Sequence, residues 1–191
     1  MRTVWPWNHL AVGYLAYSLL RRTAGGERPG TGCVLAVAFG SQFPDLVDKP
    51  LGWGTALLPS GTTLAHSLLF AVPLSLVVVA AAAWRGRTAL AAAFVVAYLL
   101  HLPADALFPV IFGGRPTTAF LLWPAVPVDP APSTTIPARV GDLWSSFLAL
   151  LATPGGQRYV LLEASLLAAT ALAWIADGAP GVGSRWSRRP S

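Results

Sequence analysis

A single cysteine in 191 residues leaves no partner for an intramolecular disulfide and no thiolate cluster for zinc. Cys33 lies in an apolar run and reads as a small buried side chain. Charge is also scarce: Asp, Glu, Lys and Arg make up 11% of the chain, against roughly 25% in ordinary soluble domains. Eight acidic residues and three histidines are all there are. No self-similarity recurs at a period of roughly 20–50 residues, which argues against a solenoid or propeller. No basic stripe with interleaved aromatics is present, so the net charge of +5 does not imply a nucleic-acid partner. The apolar run 10–20 follows Arg2, as in a secretory signal. It leads into Arg21-Arg22 rather than a small-x-small cleavage motif, so the segment is expected to be retained.

What fills the chain is apolar. Hydrophobic residues are 54%, mean hydropathy is +0.59, and there are eight tryptophans. Runs of Ala, Leu and Val are separated by short arginine clusters at 21, 22 and 28, at 85 and 87, and at 185, 188 and 189. This is the pattern of membrane helices with basic cytoplasmic flanks. The expectation is an all-α integral membrane bundle of about four to six helices, several short or re-entrant. Residues 1–178 form one membrane-embedded domain and 179–191 a disordered basic tail.

Helices are predicted over 9–22, capped by Asn8, and over 31–43, ended by Pro44. A loop covers 45–61. A long span over 63–84 is kinked at Pro73, and a helix over 88–102 stops near Pro103. Residues 106–139, with Phe108, Phe112, Phe120 and Trp123, read as an interfacial loop, and Trp5-Pro6-Trp7 as an interface anchor. A short helix covers 141–153 and a second long span 158–177. Glu163 inside that span is an intramembrane acid and so a candidate site residue.

The chemistry gathers around Pro44-Asp45-Leu46-Val47-Asp48. Carboxylates at i and i+3 share a helical face. If the first four helices alternate across the membrane, His9, Asp45, Asp48, His66, His101 and Asp105 all fall on one side, and the arginines at 21, 22, 28, 85 and 87 on the other. These six include every histidine and three of the six aspartates. Histidine and aspartate together suit Zn²⁺ or Mn²⁺. We expect all six to gather at one or two divalent ions as metal ligands, or, since six exceed the set of a single zinc, some of them to orient the others from behind, with Asp48 or Asp105 also available as a catalytic base. The positive-inside rule turns this site to the outer face of the cell membrane. Taken singly, each residue has a plainer reading: a satisfied helix-end histidine, a turn aspartate at 45, or a surface pair of Asp48 with Lys49.

The segments Phe43-Pro44-Asp45-Leu46-Val47-Asp48, Ala65-His66-Ser67-Leu68 and Leu100-His101-Leu102-Pro103-Ala104-Asp105, preceded by His9 at the head of the first helix, resemble the membrane-bound metal-dependent hydrolases of the LexA-regulated inner-membrane type. The resemblance covers roughly residues 5 to 110. It departs at Thr63-Leu64-Ala65-His66, where no Thr directly precedes the His. It implies hydrolysis of a small-molecule or lipid phosphoester at the membrane surface. Two other classes use the same residues: a transporter or ion relay, and a non-catalytic membrane protein with a structural metal. Composition is silent on oligomeric state.

Overall fold

In an apolar solvent a backbone must close its own hydrogen bonds, and uncharged runs of Ala, Leu and Val do so as helices. The computed structural model describes residues 4–131 and 135–182. It contains six α-helices and, among the described residues, no strand. They are α1 (Pro6–Thr23), α2 (Thr31–Lys49), α3 (Leu68–Trp84), α4 (Thr88–Leu107), α5 (Ile136–Leu151) and α6 (Pro154–Ala176). A π-helical turn, Pro50–Gly54, extends α2, and two 3₁₀ turns, Phe108–Phe112 and Ala119–Leu122, follow α4. The architecture is an all-α membrane bundle. Most of the basic tail expected at 179–191 lies outside the described residues.

α4 is the hub. Tyr14 and Tyr17 of α1, Val37 of α2, and Ala93 and Ala97 of α4 form one buried cluster. Ala71 of α3 packs with Tyr98 and Leu102 on another face of α4. Small residues set the spacing, as is usual where lipid removes the hydrophobic drive between helices. A Cβ at Gly40 would stand 2.4 Å from the carbonyl oxygen of Phe94, and one at Gly13 would stand 3.0 Å from Ala97 Cβ. α2 and α1 therefore approach α4 nearly backbone to backbone.

α6 is tied to α1 by buried acids rather than by packing alone. Asp177, just past α6, accepts from Tyr14 Oη at 2.8 Å, Ser18 Oγ at 2.6 Å and Arg22 Nη2 at 2.7 Å. Near the other end Glu163 accepts from Trp7 Nε1 at 2.5 Å, Asn8 Nδ2 at 2.9 Å and Tyr159 Oη at 3.3 Å. Glu163 is thus a helix-pairing residue, and Asn8 joins it from inside α1 instead of capping that helix. Trp7 reaches Glu163 with its Nε1 while its ring stays exposed, and Trp5 stacks on Trp7 at 4.8 Å.

Several boundaries differ from the sequence expectation, each for a physical reason. α2 passes Pro44 and runs to Lys49. Proline removes one ladder bond, but the helix continues through it beside the close α2–α4 contact. α4 likewise passes Pro103 to Leu107. α3 begins at Leu68, because Ser67 accepts from Leu69 N as its cap, so residues 63–67 belong to a turn. That leaves 17 residues in α3, about 26 Å of helix. Among the described residues the segments long and apolar enough to cross a membrane are Thr88–Phe112 and Pro154–Ala176, not 63–84. Phe108 and Phe120 of the expected interfacial loop are buried. α5 starts at Ile136, where Thr135 caps Ala138 N. Its Phe147 and Leu150 pack against Val4, Phe108 and Tyr159.

Candidate metal centre

The candidate residues reach the centre from α2, α4 and the turn ahead of α3. Because α2 continues through Pro44, Asp45 is helical and faces α4. His101 and Asp105 are one turn apart on α4, so both point to the same side. His66 comes from the turn ahead of α3. All four are buried: His66 is 0% exposed, His101 1%, Asp105 6% and Asp45 9%.

The two imidazoles are oriented from behind. His66 Nδ1 is 2.8 Å from Asp48 Oδ2, and His101 Nδ1 is 2.7 Å from the carbonyl oxygen of Ser41. A carboxylate and a carbonyl can only accept, so each Nδ1 carries a proton and each Nε2 is the nitrogen that offers its lone pair once deprotonated. Both lone pairs face the same point. His66 Nε2 is 3.1 Å from His101 Nε2, 3.5 Å from Asp45 Oδ1 and 3.4 Å from Asp105 Oδ2. His101 Nε2 is 3.9 Å from Asp45 Oδ1 and 3.4 Å from Asp105 Oδ2. Asp45 Oδ1 and Asp105 Oδ2 are buried and have no hydrogen-bond donor.

Four electron-pair donors thus converge with two negative charges among them. In a tetrahedron with arms of about 2.0–2.2 Å, the range of zinc to nitrogen and oxygen, the corners stand about 3.3–3.6 Å apart. The five separations of 3.1–3.9 Å bracket that range. All four atoms lie within 4.8 Å of one another. The donor set, two imidazoles and two carboxylates, suits a borderline divalent cation. Burial, the largest influence on His66, opposes its charge. The carboxylates of Asp105, Asp45 and Asp48 around the ring outweigh it and raise its pKa to about 10. The site attracts positive charge.

The other two expected ligands stand one step back. Asp48 does not present an oxygen to the centre. Its Oδ2 accepts from Thr63 N at 2.7 Å, His66 N at 3.2 Å and His66 Nδ1, and its Oδ1 accepts from Ala65 N at 2.9 Å. It organises the 63–66 turn and aims His66. His9 stacks on His101 with ring centroids 3.6 Å apart. Its Nε2 is 3.4 Å from Asp105 Oδ1, the outer oxygen of that carboxylate. Neither nitrogen of His9 has a hydrogen-bond partner.

Some contributors escaped the sequence reading. Lys49 pairs with Asp45, not with Asp48; its place one turn beyond Asp45 on a continuous helix was the available signal. Tyr98 donates to the carbonyl of Ala65 at 2.7 Å and steadies the turn that carries His66. The Phe120 ring packs edge-on to His66 at 5.9 Å. Ser41 acts through its backbone, which no side-chain pattern reports.

Helices joined by small residues, two segments able to span a bilayer, and buried acids satisfied inside the bundle define a helical membrane protein. The chain belongs to the family described as YdjM inner membrane protein, whose model matches residues 5–179. That match takes in α5 and α6 as well as the helices that carry the cluster. No curated protein and no solved structure matches the chain.

Proposed function

We propose that this protein is a multi-pass, membrane-bound, metal-dependent hydrolase acting on a phosphoester at the membrane surface. One observation carries the reading: two oriented imidazole lone pairs and two orphaned carboxylate oxygens meet at zinc-like spacing in a buried site. His66, His101, Asp45 and Asp105 would hold one divalent ion, Zn²⁺ or Mn²⁺. When bound, such an ion lowers the pKa of a water toward about 7 and polarises a phosphoryl oxygen.

The chain's own groups then have distinct tasks. Asp48 holds the His66 ring and its tautomer, as outer carboxylates do in metal sites. Asp105 reaches the centre with Oδ2 while Oδ1 faces His9, so this pair can hold a proton beside the reacting group. Of Asp48 and Asp105, Asp105 is therefore the catalytic candidate. Four protein donors would fill a tetrahedral zinc, whereas catalytic zinc keeps a position open. Asp45 is the one to yield, because Lys49 already engages its other oxygen. If Asp45 does not yield, the closed set describes a structural metal, which is the second reading.

The arginines at 21, 22, 28, 85 and 87 lie at the bundle end marked by the Arg22–Asp177 pair, opposite the cluster. The short connections at that end are basic, which supports a cytoplasmic placement and an outward-facing site. Elemental analysis of the purified protein tests the ligand set. About one equivalent of metal is expected in the wild type, and a loss of about 100-fold or more in affinity in His66→Ala and Asp45→Ala. A panel of phosphomonoesters and phosphodiesters with and without chelator tests the activity. Metal without chelator-sensitive turnover supports the structural reading, and no metal at all removes both.

A further inference from the structure

The outer oxygens of the two carboxylates are each covered by a residue that also lines a cavity. Val4 N donates to Asp105 Oδ1 at 3.4 Å, and Lys49 Nζ donates to Asp45 Oδ2. Both border one cavity of about 290 Å³, whose remaining wall is apolar and includes Trp5, Trp53, Leu143 and Trp144. Lys49 is the one charged residue in that lining, 5.4 Å from the centroid of the Trp53 ring. Its ammonium has three donors, and Asp45 takes one of them.

The far wall of the cavity is α5. Along this helix Ile136, Val140, Trp144 and Leu148 recur every fourth residue, each between 41% and 54% exposed, with Val140 and Trp144 also bordering the cavity. An apolar stripe on a helix of 16 residues, too short to cross, is the mark of a helix lying in the membrane interface. Tryptophans gather at that same depth. A cavity walled by such a helix would open at the hydrocarbon boundary, and its cation stands one hydrogen bond from the candidate metal centre. A water-soluble phosphoester would bury nothing against such walls. A lipid would bury the first part of its chain and leave the rest in the bilayer. The volume is at the small end of the roughly 300–1,000 Å³ usual for ligand pockets, which suits part of a lipid and not a whole one.

We propose that this cavity admits an anionic phospholipid from the adjacent leaflet, with the phosphate on Lys49 and the chain leaving past Trp144 and Leu143. Phosphate on a lysine ammonium is an ordinary charge-assisted contact. The inference deepens the hydrolase reading and rests on it for substrate class: the phosphoester would be lipid-borne and enter sideways.

The test does not depend on turnover. The full-length protein is placed in phosphatidylcholine vesicles with a trace of phosphatidate bearing a photoreactive group near its glycerol, and crosslinks are mapped by mass spectrometry. Labelling is expected to concentrate on residues 4–7 and 136–148 and to be competed by unlabelled phosphatidate. It should fall at least about fivefold in Lys49→Met and recover in Lys49→Arg, because a second cation can replace the first at the phosphate. Leu143→Trp, which fills the cavity, should reduce it as well. Labelling spread evenly over the lipid-facing side of α6 and indifferent to these variants would overturn the proposal, since it describes lipid merely surrounding the bundle. Competition by glycerol phosphate as effective as by phosphatidate would also overturn it, by making the ligand a free phosphoester. If no phosphoester is turned over, the hydrolase reading fails while the labelling pattern still decides this one.

Discussion

At the scale of single residues, two aspartates of the same type, three positions apart, have opposite tasks. Asp45 offers a bare oxygen to the centre; Asp48 spends both of its oxygens on the turn that holds His66. Asp48→Asn keeps the shape but replaces an acceptor-only group by one that also donates, so the His66 tautomer is no longer enforced. Metal affinity should fall about 10- to 100-fold, the usual cost of losing an outer carboxylate partner, as read by competition with a chelating dye. An unchanged affinity would deny Asp48 its orienting role. The raised pKa of His66, about 10 in the metal-free arrangement, has a consequence of definite sign. A metal must displace that proton, so apparent affinity should rise with pH, about tenfold per unit for one proton released, up to the His66 pKa. A flat profile between pH 6 and 8 would mean that metal binding releases no such proton.

At the scale of elements, the centre depends on how closely α2 and α4 approach. Gly40 makes that approach possible, since its Cβ would lie 2.4 Å from the Phe94 carbonyl oxygen, a backbone atom that cannot swing aside. Gly40→Ala should force the two helices apart and destabilise the bundle by about 1–3 kcal/mol, the range for overpacking. It should also weaken metal retention, because Ser41, which orients His101, and Asp45 both ride on α2. Thermal unfolding in detergent and metal content measure the two effects. Stability without change would mean that the helices slide past the added methyl. The polar ties between α1 and α6 are separate from this contact and are expected to persist in the variant.

At the scale of the whole molecule, the bundle is polarised. One end carries the Arg22–Asp177 pair and the connections around 24–30 and 85–87; the other carries the cluster, α5 and the 3₁₀ turns. With Cys33 replaced by Ser, a cysteine at Gly30 should resist a membrane-impermeant reagent on intact cells, and one at exposed Thr117 should react. The reverse result would place the candidate site in the cytoplasm and overturn the proposed orientation. Reaction at both positions would exclude the alternating topology.

The class of the protein follows from its sequence, because scarce charge and long apolar runs leave a helical membrane bundle as the physical solution. So does the chemistry on offer: the histidines and the paired aspartates stand at helix ends opposite the arginines, and His101 and Asp105 are already one turn apart. Division of labour among these residues came only with tertiary structure. Positions i and i+3 share a face, but they differ by about 4.5 Å along the axis. Asp45 therefore meets the centre and Asp48 meets the back of His66, a distinction that exists only once α2 is packed against α4. Proline rules stop α2 at Pro44 and shorten α4 near Pro103, yet both helices continue through. Glu163 in an apolar run looks like a site residue until Trp7, Asn8 and Tyr159 supply its donors. Lys49 becomes part of the site because α2 extends one more turn beneath a cavity built by the distant α5. Local pattern decides which groups a helix can present, and packing between helices decides what each group meets.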